Sequence, residues 1–405
     1  MKYTITAVPN FGGFGSNANA INEEGTVVGD ASGGTYVHAA RLKNNNLKDL
    51  TLNQGTSTSE AYDINNIGKE QIVGEFKAGN TTHAFLWQEE VLIDLNEELG
   101  STWSIAMGIN DSGLIVGTRG GSSAEAYLYN SNTQQVINPF PNAYIAFGHA
   151  VNANGHMVGR AYDLPQGFVY DGSPNFLPTL GGNATDPTDI NDIGLIVGAS
   201  MTADGDWHAF VHDSNGIHDI NDPTAIYSKA WGINNNNVIV GKVTYQSGIE
   251  AFIREPGKNM EILRSKITNI AGWTELWRAY DINDEGQICG TGVFNGERHG
   301  FVLTPVKTDI RDKIEMDLPT LVAEILFGVG TGGGGVIVVG GKIIPIDPPR
   351  PYKELIRLNQ RALGDLMVQG LMSHNAKRLD IETLIREVYN QSVENHKAFF
   401  KGKLK

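Results

Sequence analysis

The stretch from Ala61 to Leu95 decides the fold: A-Y-D-I-N-N-I-G-K-E-Q-I-V-G-E-F, a polar loop, and then H-A-F-L-W and V-L-I-D-L. It contains four short apolar runs. The turn at Asn65–Gly68 separates the first two, Gly79–Thr81 the second and third, and Gln88–Glu90 the last two. Short apolar runs with turns between them predict an up-and-down sheet of four strands. One such sheet cannot bury both of its faces, so it requires neighbours.

The core of this stretch, I-N-x-x-G-x-x-V-G, recurs with substitutions along most of the chain. Its copies follow one another at intervals of 43, 45, 42, 39, 43 and 49 residues. Each is followed by a third-strand motif like His83-Ala84-Phe85-Leu86. A four-strand repeat of this length is the signature of a β-propeller blade. The asparagines of the seven copies are Asn22, Asn65, Asn110, Asn152, Asn191, Asn234 and Asn283.

The two ends of the repeat array predict how the ring closes. The seventh copy stops after its third strand, at Gly300–Pro305, and the chain begins with an additional strand at Tyr3–Val8. If this N-terminal strand becomes the outermost strand of the seventh blade, the ring has no free edges. We therefore predict a mainly β fold, with a seven-bladed β-propeller over residues 1–305 that is closed by the N-terminal strand.

The motifs I-N-x-x-G-x-I-V-G, H-A-F-L-W and G-F-V-L-T-P resemble those of the HAF family of extracellular repeats, over roughly residues 1–305. The resemblance implies a bacterial protein at the cell surface or outside the cell. It implies no catalytic residues, because the family carries no assigned activity. The chain departs from the family because Met1 and Lys2 lead directly into a strand, without the apolar segment of a signal peptide. The alternative is a cytoplasmic protein that is exported by a non-classical route.

Charge and cysteine content exclude several classes of function. Residues 1–305 contain 16 Lys and Arg against 33 Asp and Glu, a net charge of −17, whereas residues 306–405 contain 15 against 12, a net of +3. An acidic propeller repels phosphate backbones, so we expect no nucleic-acid partner. Cys289 is the only cysteine, which excludes an internal disulfide and a cysteine-based zinc site. It replaces the valine of V-G, and we expect a buried core thiol.

The Asn-x-x-Gly turns have acidic neighbours that raise the question of calcium: Glu23, Asp111, Asp192 and Asp284. Turn chemistry explains the pattern without a metal. Asn bonds its own backbone to open a tight turn, and Gly takes the left-handed conformation that follows. Asn can substitute for that glycine, as the sixth copy does in Asn234-Asn235-Asn236-Asn237. We predict no metal and no cofactor.

Four histidines occupy equivalent third-strand positions in four different blades: His38, His83, His208 and His299. Equivalent positions are spread around a propeller, so these residues are not expected to share a metal. We expect each of them to bond a backbone carbonyl.

The innermost strand of each blade lines the channel of a propeller. Just before the Ile or Val of the repeat lie Ala20, Asp63, Gly108, Ala150, Asp189, Gly232 and Asp281, and one position earlier lie Asn19, Tyr62, Met107, His149, Thr188, Trp231 and Tyr280. Alternation places these sets on opposite faces. We predict that the larger residues pack between blades and that Asp63, Asp189 and Asp281 face the channel. There they bind a cation or act as acid and base in hydrolysis, or else they bond neighbouring backbone amides.

The longer and more varied loops open on one face of the disc, which we call the long-loop face. They connect the second and third strands of each blade, and each blade to the next. Exposed loops on a rigid scaffold commonly carry function, and aromatic rings suit sugars or a protein partner. The alternative is that the rings pin long loops to the disc. The candidate ligand-binding residues are Trp103, Tyr144, Tyr162, Trp207, Tyr227, Tyr245, Trp273 and Trp277.

Beyond Pro305 the sequence changes in kind and predicts a smaller, α-rich domain. Residues 306–350 suggest a helix, a glycine-rich apolar hairpin and a proline linker, and residues 351–405 suggest two amphipathic helices that need a partner face. Gly328, Gly330 and Gly333 match G-x-G-x-x-G but follow a predicted helix, so the dinucleotide context is missing. The glycine-rich segment is too poor in apolar residues for a spanning helix, although contact with a membrane remains an alternative.

These observations favour a non-enzymatic recognition module. In this hypothesis the long-loop face binds a glycan or a surface protein, and the C-terminal domain forms a homo-oligomer or docks to a larger assembly. One alternative is a propeller hydrolase or lyase that uses the channel carboxylates. Another is a delivered effector or toxin whose C-terminal region acts on membranes.

Overall fold

A computed structural model describes residues 1–306, apart from 53, 69, 122, 142–144 and 163–165, together with the backbone of 335–339 and 342–346. The chain divides into two compact units, Met1–Val306 and Lys307–Lys405. The first unit consists of seven antiparallel four-stranded sheets, which confirms the predicted seven-bladed β-propeller.

The first six blades each contain four strands that follow one another in sequence. Blade 1 contains β2 (Ser16–Ile21), β3 (Val27–Gly33), β4 (Tyr36–Lys43) and β5 (Asn46–Asp49). Blade 2 contains β6 (Ser59–Ile64), β7 (Gln71–Ala78), β8 (Thr81–Gln88) and β9 (Val91–Asp94). Blade 3 contains β10 (Trp103–Ile109), β11 (Leu114–Gly120), β12 (Ala124–Asn130) and β13 (Gln135–Ile137).

Blades 4 to 6 repeat this order. Blade 4 contains β14 (Ala146–Val151), β15 (Met157–Ala161), β16 (Gln166–Tyr170) and β17 (Pro174–Phe176). Blade 5 contains β18 (Gly181–Ile190), β19 (Ile196–Thr202), β20 (Trp207–Asp213) and β21 (Gly216–Asp219). Blade 6 contains β22 (Tyr227–Ile233), β23 (Ile239–Tyr245), β24 (Gly248–Arg254) and β25 (Glu261–Ile262), and the 3₁₀ turn Leu263–Lys266 follows it.

The seventh blade is built from both ends of the propeller. It contains β26 (Trp273–Ile282), β27 (Ile288–Phe294), β28 (Glu297–Pro305) and, as its outermost strand, β1 (Tyr3–Ala7). The register runs from Tyr3 opposite Pro305 to Ala7 opposite Phe301. The predicted closure by the N-terminal strand is confirmed.

Apolar side chains from neighbouring blades form the core between the sheets. The aromatic residue of the third-strand motif is fully buried in blades 2 to 7, as Phe85, Tyr127, Phe168, Phe210, Phe252 and Phe301. Cys289 is also fully buried, in an apolar cluster with Val8 and Ala18 of the adjoining strands, as predicted. The hydrophobic stripe of each repeat therefore joins blade to blade.

A β-bulge interrupts the innermost strand of every blade at the same position. In blade 2 the pairing of β6 with β7 skips from Ala61 to Asp63, so that Tyr62 is left without a partner across the ladder. The glycine of V-G makes the bulge possible: a Cβ at Gly74 would collide with the carbonyl oxygen of Glu60 and with the ring of Phe85. The seven bulge residues are Asn19, Tyr62, Met107, His149, Thr188, Trp231 and Tyr280.

The described part of the second unit is one antiparallel pair, β29 (Gly335–Val339) and β30 (Lys342–Ile346), in the segment where the sequence predicts a hairpin. The helix predicted within 306–350 and the two predicted within 351–405, and with them the α-rich character of this domain, lie outside the described residues. Among the residues that are described, no helix is long and apolar enough to cross a membrane.

Candidate functional site

The seven repeat asparagines form a closed ring at the end of the channel opposite the long-loop face. Each Nδ2 donates a hydrogen bond to the backbone carbonyl of the equivalent asparagine in the next blade, at 2.8 to 3.4 Å, and Asn283 donates to Asn22. Each Oδ1 accepts an amide of its own turn, as Asn110 does from Leu114 at 3.0 Å. Asn237 has the left-handed φ of 61°, as predicted. These residues therefore close their turns, and they also join the blades.

The acidic neighbours of these turns serve a similar purpose. The backbone amide of Asn66 donates to Asp111 at 2.7 Å, that of Ala153 to Asp192 at 2.9 Å, and that of Asp284 to Glu23 at 2.9 Å. Each of these bonds crosses from one blade to the next. Among the described residues no group of three or more His, Cys, Asp and Glu is arranged to hold a metal ion. The acidic side chains act as links between turns.

The channel carboxylates Asp63, Asp189 and Asp281 line a cavity of about 190 Å³ beneath the asparagine ring. Burial raises the pKa of Asp281 to about 7 and that of Asp189 to about 6, and it also raises the pKa of Asp63. One oxygen of each accepts the amide of the following residue, at 2.7 to 2.8 Å. The other accepts an amide of the next blade at 2.7 to 2.8 Å, from Ile109, Ile233 and Ile21 respectively. Because every carboxylate oxygen already bonds a backbone amide, the geometry supports a structural role for them.

A second and larger cavity, of about 550 Å³, occupies the channel towards the long-loop face. We call it the central cavity. Its walls include all seven bulge residues, and Tyr162 from the loop between β15 and β16. Alternation predicted that these large side chains pack between blades, and this was wrong, because the bulge breaks the alternation. The innermost strands therefore present both sets of residues to the channel, at different depths.

The residues two positions before the bulge contribute charge to the central cavity: Glu60, Asp186, Lys229 and Arg278. Glu60 accepts hydrogen bonds from Asn19 Nδ2 at 3.0 Å and from the Tyr62 hydroxyl at 3.2 Å. Burial, reinforced by the charge of Asp30, raises the pKa of Glu60 to about 7. This side of the cavity is an acidic wall with a carboxyl group that titrates near neutrality.

Blades 6 and 7 give the central cavity a basic side. Lys229 Nζ lies 2.7 Å from Asp186 Oδ2 and 4.2 Å from the centre of the Trp231 ring. Burial opposes ionisation of Asp186, but Lys229 and His149 outweigh it, and the pKa of Asp186 is lowered. Burial also lowers the pKa of His149, whose Nδ1 lies 2.6 Å from the carbonyl of Pro187. A neutral imidazole can donate that hydrogen bond.

Aromatic rings continue this basic side around the cavity. The rings of Trp231 and Tyr280, from neighbouring blades, lie 5.7 Å apart in an edge-on arrangement. Arg278 Nη1 donates to the Tyr280 hydroxyl at 3.1 Å. The central cavity thus combines rings, hydroxyls and charged groups from five blades, which is the usual composition of a small-molecule site.

Three of the predicted ligand-binding residues lie at or beside the central cavity. Tyr162 lines it, and Arg160 lies over the rings of both Tyr162, at 4.3 Å, and Trp207, at 5.5 Å. Tyr227 is the first residue of β22, and Lys242 Nζ lies 4.7 Å from the centre of its ring.

The other predicted rings lie elsewhere. Trp273 is buried against Phe294 and Phe301, so its prediction as a surface ligand contact was wrong, and it belongs to the core of blade 7. Tyr245 packs on an apolar cluster and bonds Asp222 in the loop before β22, which anchors that loop. The remaining rings are Trp103, half-buried at the start of β10, Trp277, whose indole donates to Glu275, and Tyr144, which lies outside the described residues.

Two of the four third-strand histidines bond a backbone carbonyl as expected: His38 Nε2 lies 2.9 Å from that of Thr56, and His299 Nδ1 lies 3.1 Å from that of Val8. Nδ1 of His38, of His83 and of His208 also lies 2.7 Å from a carboxylate oxygen on the fourth strand of the same blade, a partner that was not expected. The carboxylates are Asp49, Asp94 and Asp219, and each also accepts the backbone amide two residues later. Each His–Asp pair therefore holds the start of the loop that leads to the next blade.

Sequence reasoning did not select the residues that contribute most to the central cavity, which are Glu60, Trp231, Arg278 and Tyr280. It placed Trp231 and Tyr280 between blades and assigned no role to the other two. The glycine of V-G was the available signal, because a glycine inside a strand marks a bulge or a close backbone approach. A bulge in each innermost strand turns the next large side chain towards the channel.

No protein-family model and no curated protein matches the chain. Among solved structures it is similar to a puromycin-hydrolysing peptidase of Mycobacterium tuberculosis, with 9% identity and a TM-score of 0.50 over 71% of this chain and 52% of that one. It is also similar to a catalytically inactive virginiamycin B lyase of Staphylococcus aureus with quinupristin, with 10% identity and a TM-score of 0.49 over 75% and 100%. YCF48 bound to D1 peptide gives 9% identity and a TM-score of 0.48 over 76% and 98%. Such low identities concern the fold alone.

Proposed function

We propose that this protein is a recognition module that binds a short saccharide in the central cavity. The observation that carries the proposal is the convergence of all seven bulge residues on one cavity of about 550 Å³, with aromatic rings and polar groups in its wall. This volume lies within the ~300–1,000 Å³ that is usual for small-ligand sites. The site belongs to the long-loop face but lies deeper than the loop aromatics.

The wall chemistry suits a sugar. Tyr62, Trp231 and Tyr280 supply flat apolar surfaces for the C–H faces of a pyranose, together with hydroxyl and indole groups at their edges. Asn19 and Glu60 offer an amide and a carboxyl group that pair with adjacent hydroxyls. Most of these groups are held by contacts within the wall, so little ordering is needed on binding.

A recessed site favours a saccharide over the flat surface of a protein partner. Protein interfaces bury about 800 Å² on each partner, usually across a broad patch. The central cavity would admit only one inserted side chain or loop of such a partner. A cell-surface setting and assembly through the C-terminal unit accord with this function, and both remain proposals.

The hydrolase hypothesis loses its candidate residues in this geometry. Both oxygens of Asp63, Asp189 and Asp281 accept backbone amides, and these carboxylates lie in the smaller cavity beneath the asparagine ring. The effector hypothesis depends on C-terminal residues outside those described.

Calorimetric titration with saccharides selected on a glycan array tests the proposal. We expect Trp231→Ala and Tyr280→Ala to weaken binding at least tenfold, because each removes a wall of the central cavity. Trp103→Ala is the matched control: it removes a half-buried ring on the long-loop face that does not line the cavity, and should leave affinity unchanged. Weakening by Trp103→Ala alone would move binding to the rim, and failure of every saccharide to bind would refute the proposal.

A further inference from the structure

Basic side chains on blades 4, 6 and 7 exceed their acidic partners beside the central cavity. Arg160, Lys229, Lys242 and Arg278 belong to this group, which we call the basic wall, and Asp186 is the carboxylate that faces it. Asp186 pairs with Lys229 at 2.7 Å. In the described part of the chain, no carboxylate lies within ion-pair distance of Arg160, Lys242 or Arg278. In a propeller with a net charge of −17, such a surplus of positive charge requires an explanation.

The cations of the basic wall lie close enough to repel one another. Lys242 is opposite Lys229 in the register of β22 and β23, a pairing of like charges that is unfavourable. The pKa of Lys242 is lowered by burial and then by the charges of Arg278 and Lys229. Arg278 donates one hydrogen bond to the Tyr280 hydroxyl, and its guanidinium has further donors. Because these cations repel one another, a bound anion would relieve that repulsion and be attracted by all of them.

Two buried donors in the same region have no hydrogen-bond partner among the described residues. They are the indole Nε1 of Trp231, which lines the central cavity, and Nε of Arg160. Unpaired buried N–H groups are uncommon in native proteins and call for an explanation such as a ligand. Donors in excess of acceptors indicate a ligand that brings acceptors.

Resting on the saccharide function proposed above, we propose that the central cavity takes an acidic saccharide whose carboxylate lies against the basic wall at Arg278. A guanidinium matches a carboxylate through two parallel hydrogen bonds, and Lys242 adds to the positive field. The acidic wall at Asn19, Glu60 and Tyr62, on blades 1 and 2, then bonds hydroxyl groups of the same ligand. The two kinds of wall orient the sugar in one direction.

The test is calorimetric titration of the full chain with matched probes whose carboxylates are either free or esterified. Tri-galacturonic acid is compared with its methyl ester, and 3′-sialyllactose with its carboxyl methyl ester, so that uronate and sialate sources of the carboxylate are distinguished. We expect the acidic member of at least one pair to bind at least tenfold more tightly. We also expect that preference to fall as salt is raised, because salt screens the long-range attraction between an anionic ligand and the basic wall.

Variants of the basic wall locate the preference. Arg278→Gln should reduce the affinity for the acidic probe about tenfold, the loss expected for one charge-assisted bond, and Lys242→Met should reduce it by a smaller factor. Both variants should weaken the acidic probe more than the neutral probe. Arg254→Gln is the control, because it also removes a guanidinium from blade 6. Arg254 is the last residue of β24 and pairs with Ile239, at the end of the blade nearest the asparagine ring. The thermal melting point of each variant guards against misfolding.

The outcomes separate this inference from the function on which it rests. Equal binding of acidic and neutral probes overturns the acidic class but leaves saccharide binding standing. An acidic preference that survives both basic-wall variants overturns the location of the carboxylate. Failure of all four probes and of the glycan array overturns the saccharide function itself.

Discussion

Removing one side chain of the asparagine ring should lower the propeller's free energy of unfolding by more than the removal of an exposed asparagine does. Asn110 is buried and bonds four groups: the carbonyl of Asn152 at 2.8 Å, the amide of Leu114 at 3.0 Å, and the amide and hydroxyl of Ser112 at 3.1 and 2.8 Å. Asn110→Ala removes three bonds to the backbone, each with a net value of about 1 kcal/mol. We therefore expect a loss of about 3 kcal/mol in the free energy of unfolding, and a melting temperature lower by roughly 5 °C.

Urea unfolding followed by circular dichroism measures this loss, with an unchanged m-value as the sign that only stability has changed. Asn110→Asp keeps the oxygen that closes the turn but removes the donor to Asn152, and should cost about 1–2 kcal/mol. Asn154→Ala is the control, because Asn154 bonds the carbonyl of Asp192 at 2.7 Å from an exposed position, and its loss should stay within about 0.5 kcal/mol. If Asn110→Ala and Asn154→Ala cost the same, the ring does not join the blades energetically.

Four further perturbations test other parts of the structure. Burial raises the pKa of Asp281 from 3.8 to about 7, so the folded state holds a proton that the unfolded chain releases. The free energy of unfolding should therefore fall as pH rises from about 4 to about 7. In urea titrations Asp281→Asn should make this fall less steep, and equal slopes in the two proteins would contradict the pKa shift. Glu60 has a pKa of about 7, so an acidic saccharide should bind more tightly at pH 6 than at pH 8, and Glu60→Gln should remove this difference; a pH profile that survives the substitution would exclude Glu60 as its source. A chain that begins after Val8 loses the strand that pairs with β28 and should melt at a lower temperature than the intact protein; equal melting temperatures would argue against closure by this strand. Light scattering should find an oligomer for the full chain and a monomer for residues 1–306, whereas two monomers at micromolar concentration would exclude self-association through the C-terminal unit.

The ring and its closure could be predicted from the sequence because they depend on spacing. A repeat of four strands needs only its period to be recognised, and the missing fourth strand of the last copy matches the additional strand Tyr3–Val8 at the start. The turns were predictable for the same reason, since Asn and Gly act on their own backbone. The bonds between Asn side chains of neighbouring blades required the fold, because those residues are 39 to 49 positions apart along the six consecutive links.

The central cavity could not be predicted because its position depends on a single unpaired residue per strand. Alternation with a period of two assigns Trp231 and Tyr280 to the side away from the channel, and one bulge reverses that assignment. Charge pairing depends on the same geometry: Lys229 and Asp186 belong to different blades and meet only because both lie two positions before a bulge. Surface rings such as Trp273 were selected by residue type, which does not reveal burial.

The two ends of the channel differ in how similar the residues at equivalent positions of the seven blades are. In the asparagine ring, all seven blades place the same side chain at the same position, with the same two kinds of bond. At the bulge they share the backbone geometry but carry six different residue types, from Thr188 to Trp231. A scaffold needs identical links to close a symmetric ring, whereas a binding site needs different groups at fixed places. The same bulge in each blade therefore presents a varied wall, and this favours the bulge end of the channel as the place of the recognition site that we propose.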